Sequence, residues 1–177
     1  MRIISGIYKG RQLATPKDLS VRPTTDKVRS AVFSVLFDSV DGADVLDLFC
    51  GTGSYGLEAL SRGAKSAVFV DTDTAYIQKN LKGLEEFATD VVKGDIFKVL
   101  PQINRRFDII FIDPPYAKYT PDEILALLKD REILANNGVI VYEESIRTEF
   151  KISDSHWSLD SEKRYGDTVI RYLSANG

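Results

Sequence analysis

The stretch Val45-Leu46-Asp47-Leu48-Phe49-Cys50-Gly51-Thr52-Gly53-Ser54-Tyr55-Gly56 constrains this chain more than any other. A short apolar run carrying one carboxylate passes into a glycine-rich turn. Leu57, Leu60 and Ala64 then recur at helical spacing, and Gly63 supplies a stop signal. Glycine at 51 and 53 lets the backbone turn sharply and leaves no side chain between it and a ligand. Strand, bare turn and helix in that order are where open α/β sheets bind nucleotides. A glycine turn can also be purely structural, so Gly-x-Gly-x-x-Gly is weak by itself.

Asp47 shifts the balance. A dinucleotide turn usually follows an uninterrupted apolar strand, whereas here a carboxylate stands four residues before Gly51. It would repel pyrophosphate, but it could receive the cationic amino-acid end of S-adenosylmethionine, directly or through water. Asp47-x-x-x-Gly51-x-Gly53 thus resembles the first motif of the Rossmann-like methyltransferases.

At 177 residues, one domain with a substantial core is expected. No apolar run approaches membrane-spanning length, and Ile3-Ile4 gives way at once to Ser5-Gly6, so there is no signal core. One cysteine excludes an internal disulfide and suits a reducing cytoplasm; with a single histidine it argues against a Cys/His zinc site. Residues 1–30 hold seven Lys/Arg against two Asp, while the remainder carries a net −8. A basic arm on an acidic body points to a polyanionic partner at the N-terminal end.

Arg2 to Leu13 reads as a small hairpin with bends at Gly6 and Gly10, presenting basic residues beside an aromatic, as RNA backbone and bases require. After a loop from Pro16 to Pro23, Thr24 or Thr25 caps a helix whose stripe is Val28, Ala31, Val32, Val35 and Leu36. A second strand, Ala67-Val68-Phe69-Val70, ends at Asp71, where a carboxylate can accept both ribose hydroxyls of an adenosine. A helix capped by Thr74 follows, with Ile77, Leu81, Leu84 and Ala88 on one face. Val91-Val92 is a short third strand before Gly94-Asp95. Asp95 could accept from an adenine amine with Ile96 or Phe97 against the ring, although a turn role suits Gly94-Asp95 as well.

The fourth strand, Phe107 to Ile112, ends in Asp113-Pro114-Pro115-Tyr116, a far more specific motif than the glycines. Two prolines supply no N–H donors and fix the backbone, leaving carbonyls free to accept. Carboxylate, carbonyl and aromatic ring then converge at the carboxyl edge of the sheet. They can hold a planar base whose exocyclic amine is hydrogen-bonded twice and whose ring is stacked. Thr120-Pro121-Asp122-Glu123 starts another helix, packed by Ile124, Leu127, Leu128 and Leu134. Asn136-Asn137-Gly138 turns into a fifth strand, Val139 to Tyr142, and two tail strands close the sheet with antiparallel pairing.

With both motifs in hand, the chain resembles the RsmD family over nearly its whole length. The segments that carry the likeness are Ile3-Ile4-Ser5-Gly6, Lys9-Gly10-Arg11, Val21-Arg22-Pro23-Thr24-Thr25-Asp26-Lys27-Val28-Arg29, the Asp47–Gly53 motif, Gly56 to Ala64, Asp113-Pro114-Pro115-Tyr116 and Tyr165-Gly166-Asp167-Thr168. Ser30 stands where the family usually has glutamate, Cys50 where alanine is common, and Asp71 where glutamate is often found.

The resemblance implies an α/β, Rossmann-like fold with a mostly parallel seven-stranded sheet. It also implies methyl transfer from S-adenosylmethionine, without a metal, to guanine N2 at position 966 of 16S rRNA in an assembling small subunit. Residues 1–20 would be a basic extension contacting RNA through Arg2, Lys9, Arg11 and, just beyond it, Arg22; residues 21–177 would be the catalytic domain. Asp113, Pro114 and Tyr116 would serve the acceptor, and Asp47, Gly51, Gly53, Asp71, Asp95, Ile96 and Thr24 the cofactor, with S-adenosylhomocysteine as product. A cytoplasmic protein with no membrane association and no obligate protein partner is expected. The alternatives are another amino-methyltransferase, acting on DNA, 23S rRNA or protein glutamine, a nicotinamide oxidoreductase, and a non-catalytic ribosome-assembly factor.

Overall fold

The computed structural model describes residues 1–17, 25–116 and 118–177, so Arg22 and Thr24 lie outside the described residues. Five α-helices and seven strands follow one another among them: α1 (Asp26–Leu36), β1 (Asp44–Leu48), α2 (Ser54–Ser61), β2 (Ser66–Asp71), α3 (Ala75–Asn80), β3 (Ala88–Lys93), α4 (Ile96–Val99), β4 (Phe107–Ile112), α5 (Pro121–Asp130), β5 (Leu134–Ser145), β6 (Trp157–Tyr165) and β7 (Thr168–Ala175). The strands form one sheet in the order β3-β2-β1-β4-β5-β7-β6. The pairs among β1 to β5 are parallel, and β7 runs antiparallel to both neighbours.

Parallel strands joined by crossovers must be covered on both faces, which explains why β1, β2 and β4 are almost wholly buried. On one face Val45, Phe69, Ile109, Phe111 and Val141 pack against α1, α2 and the segment around Ile3 and Leu13. On the other, Leu46, Leu48, Ile110, Ile112 and Tyr142 pack against α4 and α5. Chain order reverses between β1 and β4, so the crevice at their carboxyl ends is the switch point where such sheets bind ligands.

Several expectations change in detail. Thr25 is the cap of α1, its hydroxyl accepting from Val28 N–H at 3.2 Å. The helix buries Val28, Arg29, Val32, Phe33 and Leu36, while Val35 stays 45% exposed. Thr74 precedes α3 without a side-chain cap bond; Asp73 Oδ1 instead accepts from Ala75 N–H at 3.1 Å. Asn136-Asn137-Gly138 lies inside β5 as an irregularity, since pairing with β4 jumps from Phe107–Leu134 to Ile109–Val139. The Thr120 start forms the full reciprocal box with Glu123.

The expected hairpin over Arg2–Leu13 is a single antiparallel bridge, Arg2 with Gln12, around a run of turns. Besides its own backbone bonds, it is tied to α2. Glu58, fully buried, accepts from Ile4 N–H at 2.7 Å and Ser5 N–H at 3.0 Å. Ser61 accepts from Ile7 N–H through its carbonyl at 2.8 Å and from Tyr8 N–H through its hydroxyl at 3.0 Å. Gly6 makes this approach possible: at φ +82, a Cβ there would lie 1.7 Å from the Ser61 carbonyl oxygen.

Candidate active site

The glycine turn begins with an unusual residue. Phe49 adopts a positive φ of 57°, a conformation that costs a bulky side chain about 1–3 kcal/mol and clusters at functional sites. Cys50 follows; burial pushes its thiol up, so it is an unreactive packing residue. Gly53 caps α2 at φ +76, and a Cβ there would meet Ile77 Cδ1 at 2.2 Å. Over Gly51 nothing lies within 4 Å of the Cβ position, so the turn presents bare backbone to open space.

Three carboxylates stand at or just beyond the carboxyl ends of successive strands around this turn. Asp47, on β1, is buried beneath it and accepts from Gly56 N–H at 2.9 Å. Burial, assisted by the nearby Asp71 charge, holds its carboxyl up at about 8 despite that hydrogen bond. Asp71 ends β2; its Oδ2 accepts from Gly51 N–H at 2.8 Å and its Oδ1 from Asp73 N–H at 3.0 Å. Asp95 follows β3 and caps α4, accepting from Phe97 N–H at 2.9 Å and from Tyr119 hydroxyl at 3.1 Å. Ile96 is buried beside it. The rings of Phe49 and Phe97 lie 5.6 and 5.3 Å from that of Tyr119, making an aromatic patch at the Asp95 end.

Across the switch point, β4 delivers Asp113-Pro114-Pro115-Tyr116. Asp113 is half-buried, Pro114 buried, and Tyr116 63% exposed. The Asp113 carboxyl is raised well above the usual carboxylate range by burial first, then by the charges of Glu143, Asp47 and Glu144. Glu143, on β5, accepts from Tyr55 hydroxyl at 2.8 Å. The Tyr55 ring stacks on Phe111 at 4.7 Å and 11°. The turn of the β6–β7 hairpin reaches the same edge, where Asp167 carbonyl accepts from Ile146 N–H at 2.8 Å.

Asp47, Gly51, Gly53, Asp71, Asp95, Ile96, Asp113, Pro114 and Tyr116 therefore share one edge of the sheet. Arg2, Lys9 and Arg11 lie on the N-terminal segment docked on α2. Arg2 faces Asp26 at 3.6 Å and Lys9 is exposed. The Arg11 guanidinium donates to the carbonyls of Asn80, Lys82 and Gly83 just past α3. Sequence reasoning missed Tyr55, Glu143, Phe49 and Tyr119. Phe49 and Tyr55 sit inside the glycine motif and were legible by position; Glu143 and Tyr119 have no local signal. No group of three or more His, Cys, Asp or Glu among the described residues is arranged to hold a metal. No helix among them is long and apolar enough to cross a membrane.

The donor set suits a ligand with a cation, vicinal hydroxyls and a flat aromatic ring. Asp47 places a buried carboxyl under the turn, Asp71 a carboxylate at the end of β2, and Asp95 stands with Ile96 beside the aromatic patch.

Comparison with known proteins agrees with this arrangement. The family model described as Conserved hypothetical protein 95 matches residues 1–174. Ribosomal RNA small subunit methyltransferase D of Escherichia coli (strain K12) is 36% identical over 174 residues, covering 97% of this chain and 88% of that one. The protein of the same name from Haemophilus influenzae is 34% identical over 179 residues, covering 97% and 91%. The solved structure of yhhF from Escherichia coli superposes with a TM-score of 0.89 at 33% identity, over 100% of this chain and 98% of that one. The chain belongs to the family of Conserved hypothetical protein 95, the RsmD family of methyltransferases.

Proposed function

We propose that this protein transfers a methyl group from S-adenosylmethionine to the exocyclic N2 of a guanine in 16S rRNA, at position 966, within an assembling small ribosomal subunit. The observation that carries the reading is the meeting of the Asp47 turn and the Asp113-Pro114-Pro115-Tyr116 corner on adjacent strands at the switch point. The names of the relatives supply the rRNA.

S-adenosylmethionine supplies an electrophilic methyl on a sulfonium, so catalysis rests on positioning and electrostatics. Asp47 would face its amino-acid end, Asp71 its ribose, and Asp95 with Ile96 its adenine, over the bare backbone of Gly51 and Gly53. Thr24 and Arg22 belong to the same reading, bordering the cofactor and the RNA. The N2 amine of guanine is a poor nucleophile because its lone pair is delocalised into the ring. The Asp113 carboxylate and the Pro114 carbonyl would accept its two hydrogens and stabilise the charge that grows on nitrogen. A carboxylate made more basic by burial is also a better acceptor for the departing proton. Tyr116, largely exposed, would stack on a base that has left its helix. Residues 1–20 would extend the catalytic domain of 21–177 toward RNA through Arg2, Lys9 and Arg11.

The test is tritium transfer from labelled S-adenosylmethionine to undermethylated 30S particles, with naked 16S rRNA, 23S rRNA, DNA and free protein alongside, then nucleoside analysis. Label in N2-methylguanosine is expected. With fold and cofactor binding intact, Asp113→Ala should lower turnover by about 100-fold or more. Near-normal turnover in that variant, or label in another acceptor, overturns the reading.

A further inference from the structure

Asn80, the last residue of α3, is 5% exposed and has no part in the reaction above. Its side-chain amide makes three hydrogen bonds. Oδ1 accepts from Ala14 N–H at 2.7 Å, and Nδ2 donates to the Ala14 carbonyl at 3.1 Å and to the Thr52 carbonyl at 2.9 Å. Both amide hydrogens are used, and a flipped amide would set like against like at all three contacts. One small side chain therefore ties the N-terminal segment to the middle of the glycine turn. The segment grips the same place again, since the Arg11 guanidinium donates to the carbonyls of Asn80, Lys82 and Gly83. The Thr52 hydroxyl also donates to Met1 Sδ at 3.4 Å, but a thioether is a weak acceptor, so the amide carries the link.

The bond to Thr52 falls where local sterics constrain the turn least. Gly51 and Gly53, both at positive φ, flank Thr52. Gly53 N–H donates to the Cys50 carbonyl at 2.7 Å, and Asn80 holds the carbonyl at the other end of the same peptide plane. The plane is thereby pinned at both ends, next to the bare backbone of Gly51. A ligand that orders the turn then lowers the cost of ordering the segment, and a partner that orders the segment lowers the cost of ordering the turn.

We propose that Asn80 is a positioning residue that joins the cofactor turn to the N-terminal segment, so that cofactor and rRNA each strengthen the binding of the other. This rests on the reading in which the turn holds S-adenosylmethionine and the segment meets rRNA.

The test measures the affinity of wild-type protein for undermethylated 30S particles with and without saturating S-adenosylhomocysteine, and for S-adenosylhomocysteine with and without particles. Each should tighten the other by about 5–10-fold, equally in both directions by linkage. Asn80→Ala, and Asn80→Asp with its second oxygen facing the two carbonyls, should still bind each partner alone, but the factor should fall to within about twofold of unity. A merely structural Asn80 would weaken both affinities and leave that factor unchanged. Melting temperature reports folding. Amide exchange in the wild type needs no variant: S-adenosylhomocysteine should slow exchange of Ala14 N–H about fivefold, although Ala14 belongs to the segment and not to the turn. An undiminished factor in folded variants, no coupling in the wild type, or unchanged exchange at Ala14 overturns the proposal. If Lys9→Ala leaves particle binding and its salt dependence untouched, the segment's part in meeting rRNA falls, and this proposal with it.

Discussion

Two regions of this molecule bury charge, and they do so in opposite ways. Behind α2, Arg29 and Glu58 are both fully buried and lie 3.6 Å apart. Glu58 also takes Ile4 and Ser5 N–H and Arg62 Nε, while Arg29 donates to Asp26 at 3.0 Å and to the carbonyl of Arg2. Opposite charges face one another and Glu58 takes up the backbone N–H groups, although Arg29 Nε and Nη1 make no hydrogen bond among the described residues, and the result is an anchor for the N-terminal segment. At the carboxyl edge, Asp47 and Asp113 lie on one face of adjacent strands, and burial raises both carboxyls above their usual range. Folding gains nothing from gathering acids there; Asp47 is held at about 8 and Asp113 is raised as well. A compensated buried charge marks scaffold, and a gathering of like charges marks a place where a partner is to arrive.

The largest loss expected from breaking this contrast lies on the scaffold side. Glu58→Ala strands Arg29 without its buried counter-charge and leaves the Ile4 and Ser5 N–H groups without acceptors. We expect a loss of about 3–5 kcal/mol in denaturant unfolding. Methyl transfer per folded molecule should change little. A loss under about 1 kcal/mol would mean that the N-terminal segment is held by its apolar contacts, Ile3 and Leu13, and that the ion pair is incidental.

The site side should respond with the opposite sign. Asp47 ordinarily ionises near 3.8 but is held at about 8 in the folded protein. The folded chain therefore binds a proton that the unfolded chain has released between these values. Stability contributed by this group is fully present below about pH 4, falls as pH rises, and levels off above about 8. Asp47→Asn, which keeps an oxygen for Gly56 N–H, should raise stability by on the order of 5 kcal/mol at pH 8 and by almost nothing at pH 4. The same substitution should weaken S-adenosylhomocysteine binding. Unfolding free energy across pH, with calorimetric binding at pH 8, checks both. A destabilised Asn variant would show that Asp47 is scaffold after all.

The sequence made the site more legible than its neighbours. Asp47, Asp71, Asp95 and Asp113 could be read because each stands at or just past the end of an apolar run, and parallel strands deliver such ends to one edge. The capping box at Thr120 was legible because its chemistry is local. Arg29 was not, because its partner Glu58 lies 29 positions away and periodicity reports apolar faces only. That is why the stripe of α1 reads as Ala31 and Val35 in sequence while the fold buries Arg29 and Phe33. Val91-Val92 marked only the centre of β3, whose flanks are half-exposed at the edge of the sheet. Glu143 needed the β4–β5 register, which the irregularity at Asn136-Asn137-Gly138 disguised as a turn.

The smallest expected effect divides the basic residues of the N-terminal segment between the two kinds of region. Arg11 and Lys9 are both basic and close in sequence, yet their surroundings differ. The Arg11 guanidinium caps the chain after α3 through the carbonyls of Asn80, Lys82 and Gly83 and lies 5.6 Å from the Tyr8 ring. Lys9 is exposed. Arg11→Ala should cost about 1 kcal/mol of stability, because carbonyls at a helix end lose a donor. Lys9→Ala should leave the melting temperature unchanged and weaken particle binding a few-fold, with a salt dependence shallower by about one phosphate contact. Binding isotherms at several salt concentrations beside thermal melts read the two effects separately. If Arg11→Ala alters only RNA binding, the segment is an RNA arm that happens to rest on the domain. If Lys9→Ala leaves binding and its salt slope untouched, the basic charge of the segment serves the scaffold, and the RNA is met elsewhere on the carboxyl edge.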